Sequence, residues 1–599
     1  MRADGKPDSL RPAARDGLAR RAARMTGEGP LGDRGLAPGR ALLAEGRAMA
    51  RDWRLGPCRF LEAEGVPSEA AYKRRAMAEG RIMQHAHIGF RSVDRTVAAM
   101  AELHAVAAER GARIDRFGVT LDWTMGYPPD RRAGAARGTG IVLNGPEDFA
   151  RITNASPAAA HFGDFMLGLP GALENTRAAI AAGATAIGNL GQYFTFRLPY
   201  WDDDVATTEA TLRALGLIAA QEAEILVHSN LDDGFAGLFR DMASALGMAI
   251  LETHIVEDLV GGRLAFCFGH HFSAPLTRAA FHAALARVTD TPGSMIFGNT
   301  VAYRGGPAEN YASLSAYLMV DLLALSRQPT GHAVNPVPVT ENLRIPDVDE
   351  ILDAQLFAAR LAEAAPGHAA LVDPAAIDAV ADRLVEGGRA FAARALAGLA
   401  ERGVDTADPA ALMLAIRRLG AKRMEALWGA GAGGGSAEPF VAADWARELD
   451  AAARDWAARH AALRPALAGR RVALGTTDVH EHGAYLVRGA LEGLGLEVID
   501  GGVSVDAEAL VATALDAGAD AIAVSTYNGV ALPYARAVIA ELVRHGADLP
   551  VLVGGKLNEI PAESNSGLPV DVTGEIRAAG AYPCHDLDDM LATCPVFRA

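Results

Sequence analysis

The chain has 599 residues, half of them hydrophobic, and a formal net charge of −16. This length and composition predict several globular domains with large buried cores. The acidic balance gives no basic field for nucleic acid or an anionic membrane, and no apolar run has the length of a membrane span. The four cysteines are scattered without a Cys-x-x-Cys pair, which argues against a disulfide framework and a structural zinc site. We therefore expect a cytoplasmic protein without nucleic-acid or membrane partners.

Residues 1–40 mix Arg, Ala, Gly and Pro without apolar periodicity. They lack the apolar core of a secretory signal, and their acidic residues are unusual in an organelle transit peptide. We expect this segment to form a disordered N-terminal tail.

Short apolar runs then alternate with Ala-rich helical stretches, which is typical of βα units and a parallel sheet. The candidate strands are Arg81–Ala86, Phe117–Asp122, Gly140–Asn144, Ala184–Asn189, Glu224–Asn230, Ala249–His254, Leu264–His270 and Ser294–Asn299. Eight such units predict an α/β fold with a TIM (β/α)8 barrel as the catalytic domain, over residues 41–345.

Polar side chains cluster where these predicted strands end. They are His85, His87, Asp122, Asn144, His161, Asn189, His228, Asn230, Glu252, His254, His270, His271 and Asn299. In a TIM barrel the C-terminal strand ends build the active site, so these residues are candidates for it. Asn and Asp also cap turns and helices, and turn chemistry would explain about half of the set.

Residues 346–428 are predicted to be a helical extension of the barrel, residues 429–440 a Gly-rich flexible linker, and residues 441–468 a connecting helix. The sequence leaves open whether these helices pack beside the barrel or cover the ligand of the domain that follows.

The last segment, residues 469–599, contains three apolar runs that each end in small or polar residues. The first run is followed by Asp478-x-His480-x-x-Gly483, where an imidazole can bind a metal through one ring nitrogen while the carboxylate holds the other. Such a motif alone is also typical of a helix N-terminus with an Asp cap. Two further elements follow in order, one with Ser525, Tyr527 and Gly529, the other with Gly554 and Gly555, and this context favours the metal ligand.

Together these motifs resemble the cobalamin-binding domain of B12 enzymes, which has a Rossmann-like (flavodoxin-like) fold. The resemblance implies that His480 is the lower axial ligand of cobalt, and so the metal ligand, and that Asp478 supports it. It further implies that the nucleotide tail of the cofactor is buried in the protein. Gly483, Gly554 and Gly555 would permit close backbone approach and Ser525 would offer a hydroxyl, while Tyr527 and Gly529 complete the cofactor-binding candidates.

From about residue 80 onward, the chain is similar to the two components of glutamate mutase (methylaspartate mutase) fused in one chain. The barrel stretches that carry the resemblance are Gly80–Gly89, Val119–Asp122, Leu143–Gly145, Gly188–Gly191 with Leu198–Tyr200, and Asn335–Glu341. The resemblance implies an isomerase that uses adenosylcobalamin in a radical rearrangement of a carbon skeleton. The expected partners are a small acid substrate and a second copy of the chain in a homodimer.

The chain departs from that family at the substrate site. The family holds two substrate carboxylates with an arginine claw, and the matching positions here are His87, Met125 or Gly126, and His161. The family's glutamate in the substrate loop is Leu190. We therefore expect a different small acid, neutral or singly anionic. The catalytic candidates are His87, His161, Asn189, Tyr200, His228 and His254.

Two other classes of function stay open. In a corrinoid-dependent methyltransferase, the same type of cobalamin domain carries a methyl group and a helical cap shields it. Methyl-accepting barrels often activate a thiol with zinc, and the chain has no suitable cysteine cluster. A non-enzymatic B12 sensor or carrier would predict a DNA-binding or signalling module, and no basic recognition helix is evident in the sequence.

Overall fold

The computed structural model describes residues 30–135, 137–272, 274–429, 431, 438–478, 480–527, 529–559 and 568–597. Residues 1–29 of the predicted tail and residues 430 and 432–437 of the predicted linker lie outside the described residues. Among the helices of the described residues, none is long and apolar enough to cross a membrane.

Eight parallel strands form a nearly closed barrel in the order β3-β2-β1-β8-β7-β6-β5-β4, which confirms the predicted fold. They are β1 Met83–Ile88, β2 Arg116–Val119, β3 Ala159–His161, β4 Ala186–Gly188, β5 Leu226–Asn230, β6 Arg263–Phe268, β7 Met295–Ile296 and β8 Ala333–Val334. A single bridge between Phe162 and Ile187 connects the chain just beyond β3 to β4, so the last gap of the barrel is closed by one residue pair.

Two predicted strands are wrong and two strands of the barrel were missed. Gly140–Asn144 makes only an isolated bridge, between Ile141 and Leu121, and Ala249–His254 is helical. The second error has a physical reason: this helix is buried almost throughout, and a continuous apolar run does not distinguish a buried helix from a buried strand. The missed strands, β3 and β8, have three and two residues, too few for a periodic pattern.

Helices surround the barrel or close its ends. Their bounds are α1 Gly39–Met49, α2 Arg59–Glu64, α3 Glu69–Ala78, α4 Val93–Glu109, α5 Pro129–Arg132, α6 Pro146–Thr153, α7 Ala172–Ala181, α8 Gly191–Thr195, α9 Asp204–Ala219, α10 Met242–Thr253, α11 Pro275–Leu285 and α12 Pro307–Arg327. Ala86, Phe117, Val227 and Phe266 alternate along their strands with lumen-facing residues and pack into the core between strands and helices.

Four helices follow the barrel: α13 Val348–His368, α14 Pro374–Glu401, α15 Pro409–Leu419 and α16 Ala421–Trp428. The side chains of Asp373 and Asp408 accept backbone N–H groups at the starts of α14 and α15, each with a proline as the first helical residue. Helix α14 packs against α10 and α11, and α13 packs against α4 and β1. These two helices therefore lie beside the barrel.

The C-terminal domain is a five-stranded parallel sheet in the order β10-β9-β11-β12-β15, which confirms the predicted Rossmann-like fold. The strands are β9 Arg471–Thr476, β10 Glu497–Gly502, β11 Ala521–Thr526, β12 Val551–Gly555 and β15 Tyr582–Cys584, and β13 Asn558–Glu559 pairs with β14 Val570–Asp571 in a small antiparallel sheet. The helices are α17 Asp444–Arg459, α18 Arg464–Leu467, α19 His482–Gly493, α20 Ala507–Asp516, α21 Ala531–Arg544, α22 Thr573–Ala578 and α23 Leu587–Thr593.

Candidate functional site

The barrel lumen contains a cluster of buried histidines. His85 and His87 point inward from β1, His161 from β3 and His228 from β5. The ring centroids of His161 and His228 are 4.4 Å apart, those of His85 and His161 6.2 Å, and those of His85 and His87 5.8 Å. The structure thus brings together three catalytic candidates, His87, His161 and His228.

Glycines on the neighbouring strand positions make room for these imidazoles. A Cβ atom at Gly118 would stand 2.6 Å from Nε2 of His85 and 2.7 Å from Nδ1 of His87. A Cβ atom at Gly188 would stand 2.5 Å from Cδ2 of His228. Any larger residue at Gly118 or Gly188 would displace the rings, so the pattern of glycine and histidine shapes the lumen.

The four imidazoles are kept neutral. Burial lowers the pKa of His87 to about 4, with the charge of Arg116 adding to the effect. Burial and then Arg116 also lower the pKa values of His85, His161 and His228 well below their usual range. At neutral pH the rings therefore act as hydrogen-bonding groups without charge.

The floor of the lumen carries charges that are paired. Arg116 lies with its Nε 2.8 Å from a carboxylate oxygen of Glu69, on helix α3. Lys73, on the same helix, donates to the carbonyl oxygens of Ser294 and Gly331 at 3.1 and 2.9 Å. Helix α3 thereby closes the N-terminal end of the barrel with buried charges that form ion pairs within the protein.

The remaining catalytic candidates have different positions. Asn189 lies at the C-terminal end of β4 and donates through Nδ2 to Asp233 at 2.7 Å. Tyr200 is 70% exposed, and its backbone N–H donates to Asp506 of the C-terminal domain at 3.4 Å. The prediction that His254 lies at a strand end is wrong, because it follows helix α10 on the outside of the barrel and pairs with Asp258 at 2.8 Å.

In the C-terminal domain, the loop after β9 orients His480. Its Nδ1–H and its backbone N–H both donate to Oδ1 of Asp478, at 2.6 and 2.9 Å. The ionised carboxylate can only accept, which assigns the proton to Nδ1 and leaves Nε2 as a ligand for a metal. The His480 side chain is 40% exposed, and its ring lies 4.4 Å from that of Tyr527.

Asp478 is itself held in place. Its second oxygen accepts the backbone N–H of Tyr527 and the hydroxyl of Thr477, both at 3.1 Å. Burial acts to raise the pKa of Asp478, but the hydrogen bond and charge of His480 and the backbone donors outweigh it, so the pKa is lowered. The carboxylate is therefore ionised where its function as a hydrogen-bond acceptor requires it.

Glycines open the C-terminal edge of this sheet. A Cβ atom at Gly483 would stand 2.8 Å from Oγ of Ser525, and Gly554 lies beside Ser525 in register. Gly555 has φ +105°, and a Cβ atom there would stand 2.1 Å from the carbonyl oxygen of Thr526. Gly529 also has a positive φ, of 70°. Such an edge lets a ligand approach the backbone closely, with the Ser525 hydroxyl beside it.

Residues 471–580 match the family described as B12 binding domain. The C-terminal domain is a B12-binding domain. The match covers β9 to α22 and contains the Asp478–His480 pair and the glycine-lined edge. The residues present fit a corrinoid, since His480 would bind its cobalt through Nε2 while Gly483, Ser525 and Gly554 would hold its tail.

Among solved structures, one similar chain is described as the 1.5 Angstrom crystal structure of a novel cobalamin-binding protein from Desulfitobacterium hafniense DCB-2. It is 25% identical, the match covers 23% of the present chain and 62% of that chain, and the TM-score of 0.18 is too low to support an argument. The comparison with curated proteins finds no significant match.

The B12-binding domain contacts the C-terminal mouth of the barrel. His482, two residues after His480, lies with its ring 4.4 Å from that of His271 and stacks on Trp445 at 4.3 Å. Burial lowers the pKa of His270 to about 3, with contributions from the neighbouring His271 and from His480. His480 therefore lies close to the residues that line the barrel mouth.

Sequence reasoning missed two carboxylates of this mouth. Asp164 follows β3, a strand too short to be predicted, and Asp233 follows β5 within an Asp-Asp pair. The position directly after a βα-type strand was the only available signal for Asp233. The contact between His271 and His482 joins residues of different domains, and no local pattern indicates it.

Proposed function

We propose that the chain is an adenosylcobalamin-dependent radical mutase that rearranges the carbon skeleton of a small acid. One observation carries the proposal: the histidine suited to bind cobalt lies next to the mouth of a barrel lumen lined by buried histidines. The contact between His482 and His271 supports a direct path between the cofactor and that lumen. Helices α13 and α14 pack beside the barrel, where they would not act as a methyltransferase cap.

In this proposal His87, His161 and His228 contact the substrate together with Asn189. Neutral imidazoles donate and accept hydrogen bonds, which suits the orientation of a migrating group and the binding of a single carboxylate or carbonyl oxygen. Adenosylcobalamin, when bound, supplies an organic radical by cleavage of its cobalt–carbon bond. The chain's own contribution is to position the substrate and to exclude water, with α3 closing the floor and the B12-binding domain covering the mouth.

The proposed substrate differs from glutamate. Two of the positions that match the family's arginine claw hold His87 and His161, whose pKa values are lowered by burial, and so they lack the fixed charge of guanidinium groups. Arg116 is the cation whose charge lowers the pKa values of both rings, and it is paired with Glu69 on the floor. The two histidines at these positions would therefore not offer the carboxylates of a dicarboxylic substrate a fixed positive charge.

The test is an anaerobic visible and EPR spectrum of the full-length protein with adenosylcobalamin, before and after addition of a panel of amino, hydroxy and acyl acids. We expect one compound to induce a paramagnetic cobalt signal and to be converted to an isomer detectable by NMR. The variant His480→Ala should lose the signal, while His585→Ala, an exposed histidine of the same domain, should keep it.

Two results would count against the mutase. Binding of the cofactor without a signal from any compound that binds the protein would exclude radical turnover of those compounds. Transfer of a methyl group from methylcobalamin to an added acceptor would instead identify a corrinoid methyltransferase.

A further inference from the structure

Two side chains at the C-terminal edge of the B12-binding sheet lie together beside His480. Thr526 at the end of β11 stands next to Gly555 at the end of β12, so the residues that follow them, Tyr527 and Lys556, leave the sheet as neighbours. The backbone N–H of Lys556 donates to the carbonyl oxygen of Thr526 at 2.9 Å, and the ammonium nitrogen of Lys556 lies 4.5 Å from the centre of the Tyr527 ring. An ammonium over a tyrosine ring at this distance makes a cation–π interaction, which holds the two side chains together.

The imidazole of His480 packs on the same tyrosine. The two ring centroids are 4.4 Å apart and the ring planes are inclined by 33°. One carboxylate supports both rings, because Oδ1 of Asp478 accepts Nδ1–H of His480 while Oδ2 accepts the backbone N–H of Tyr527 at 3.1 Å. Asp478, His480 and Tyr527 therefore form a closed set of three contacts.

The contact with Tyr527 supplies what the hydrogen bond to Asp478 does not. A ring held by one hydrogen bond at Nδ1 can still turn about the axis of that bond. The lone pair of Nε2, which would bind cobalt, lies in the ring plane and turns with it. The His480 side chain is 40% exposed, and among the rings of the described residues that of Tyr527 is the one in contact with it. The face of Tyr527 thus restricts the plane of the imidazole.

We propose that Tyr527 is a positioning residue that fixes the plane of the His480 imidazole for its bond to the cobalt of cobalamin, and that Lys556 holds Tyr527 in place. A side chain that is already oriented loses less conformational freedom on binding, and for one side chain this corresponds to about three- to tenfold in affinity. The inference requires that the domain binds cobalamin. It does not depend on the reaction that the barrel performs.

The experiment is equilibrium dialysis of the full-length protein with cob(II)alamin under anaerobic conditions. Tyr527→Leu removes the ring but keeps an apolar side chain, and it should weaken binding by about three- to tenfold. Tyr527→Phe keeps the ring and should bind within about twofold of the unchanged protein. Equal affinities for the Leu variant and the unchanged protein, or an equal loss in the Leu and Phe variants, would overturn the proposal.

A double-mutant cycle distinguishes positioning from direct contact with the cofactor. If Tyr527 acts through the imidazole, Tyr527→Leu should change the affinity of the His480→Ala protein by less than about twofold. A loss of the same size with and without His480 would show that Tyr527 acts on the cofactor itself, and would overturn the proposal.

The EPR spectrum of bound cob(II)alamin reports the bond to His480 directly. In protein labelled with ¹⁵N-histidine, an imidazole ligand splits the cobalt lines into doublets, whereas the cofactor's own ¹⁴N base gives triplets. We expect sharp doublets in the unchanged protein and in Tyr527→Phe. In Tyr527→Leu we expect broadened doublets, since an imidazole free to tilt binds with a spread of orientations. Triplets in the unchanged protein, or identical doublets in Tyr527→Leu, would overturn the proposal even where His480→Ala binds too weakly for the cycle.

The role of Lys556 is tested in the same way. Lys556→Met removes the charge and should weaken binding by about two- to fivefold, the size of a cation–π interaction at an exposed site, but by less than about twofold in the Tyr527→Leu background. The exposed Arg544→Met in the same domain is the matched control and should leave the affinity unchanged. An equal loss in both backgrounds would show that Lys556 acts without Tyr527 and would overturn its assigned role. Because the titrations contain no substrate, failure of the mutase proposal would not change their outcome.

Discussion

Glu252 is a fully buried carboxyl group on helix α10, where it accepts a hydrogen bond from the hydroxyl of Ser229 on β5. Burial raises its pKa to about 7, from the ordinary value of 4.5. The folded protein therefore binds a proton that the unfolded chain releases between these two pH values. This contribution to stability is fully present below about pH 4.5 and is lost as the pH rises through about 7.

Replacing Glu252 by Gln should remove this pH dependence. We expect Glu252→Gln to match the unchanged protein at pH 5 and to exceed its free energy of unfolding at pH 8, by up to about 3 kcal/mol. Chemical unfolding at a series of pH values measures the difference. Glu222→Gln, an exposed position, should give a curve parallel to that of the unchanged protein, and a parallel curve for Glu252→Gln would show that the buried carboxyl is ionised.

A second prediction about individual residues concerns the Asp478–His480 pair. Because Asp478 fixes the tautomer and the orientation of the imidazole, Asp478→Asn should weaken cobalamin binding by about 10- to 100-fold without unfolding the domain. A titration followed by visible absorbance measures the affinity. The exposed Asp516→Asn in the same domain is the control, and equal affinities for the two variants would mean that the carboxylate does not support the metal ligand.

The sequence was informative about residues whose function follows from a short local motif. Asp478, His480 and Gly483 belong to one short motif after β9, and Gly554 and Gly555 lie together at the end of β12. Each group therefore forms a pattern that the sequence shows directly. His228 was found because it lies near the end of a predicted strand, whereas His87 and His161 were singled out because they match claw positions of the family that the chain resembles. Their neutral state was not predictable, because it depends on burial and on the charge of Arg116, which the closed barrel brings near them.

At the scale of elements, helix α3 closes the N-terminal end of the barrel. It brings Glu69 to 2.8 Å from Arg116 and 3.4 Å from Lys73, with all three side chains almost completely buried. Burial lowers the pKa of Lys73 to about 8, and Glu69 opposes that shift. Removal of the carboxylate charge would leave buried cations without compensation.

Glu69→Gln should therefore destabilise the protein by about 3–5 kcal/mol. Glu79→Gln, at the end of the same helix, removes an exposed pair with Arg81 at 3.5 Å and should change stability by less than about 1 kcal/mol. Urea unfolding followed by tryptophan fluorescence compares the two variants. A loss of similar size in both would mean that the floor network does not depend on its buried carboxylate.

Elements were predicted well where their pattern extended over several residues. The strands β5 and β6 have five and six residues and were recognised, whereas β3 and β8 gave too short a signal. Helix α10 was misread because it is buried on almost all sides, as a strand between two layers of helices would be. Short barrel strands are specified by the closed hydrogen-bond network around them, which a local pattern does not contain.

At the scale of the whole molecule, helix α17 belongs to two cores. Trp445 and Ala446, at its start, pack in the core of the barrel. Ala453, Trp456 and Ala457, in its second half, pack with Leu491 and Leu494 of the B12-binding domain. Trp456 also donates through Nε1 to Asp588 at 2.6 Å. The helix therefore connects the barrel to the B12-binding domain by packing in the cores of both.

This arrangement predicts where the B12-binding domain can be separated. A fragment of residues 438–599 keeps α17 and should fold and bind cobalamin, whereas a fragment of residues 469–599 exposes the apolar face of α19 and should be less stable by at least about 3 kcal/mol, the scale of loss for a buried tryptophan. Thermal unfolding by circular dichroism and absorbance titration with cobalamin compare the fragments. Within the longer fragment, Trp456→Ala should reproduce most of that loss, while Trp445→Ala should cost less, because without the barrel Trp445 keeps only the rings of His482 and Tyr485 as aromatic partners. Equal stability of the two fragments would instead make α17 a simple connection, and the position of His480 at the barrel mouth would then depend on direct contacts such as those of His482 with His271 and of Tyr200 with Asp506.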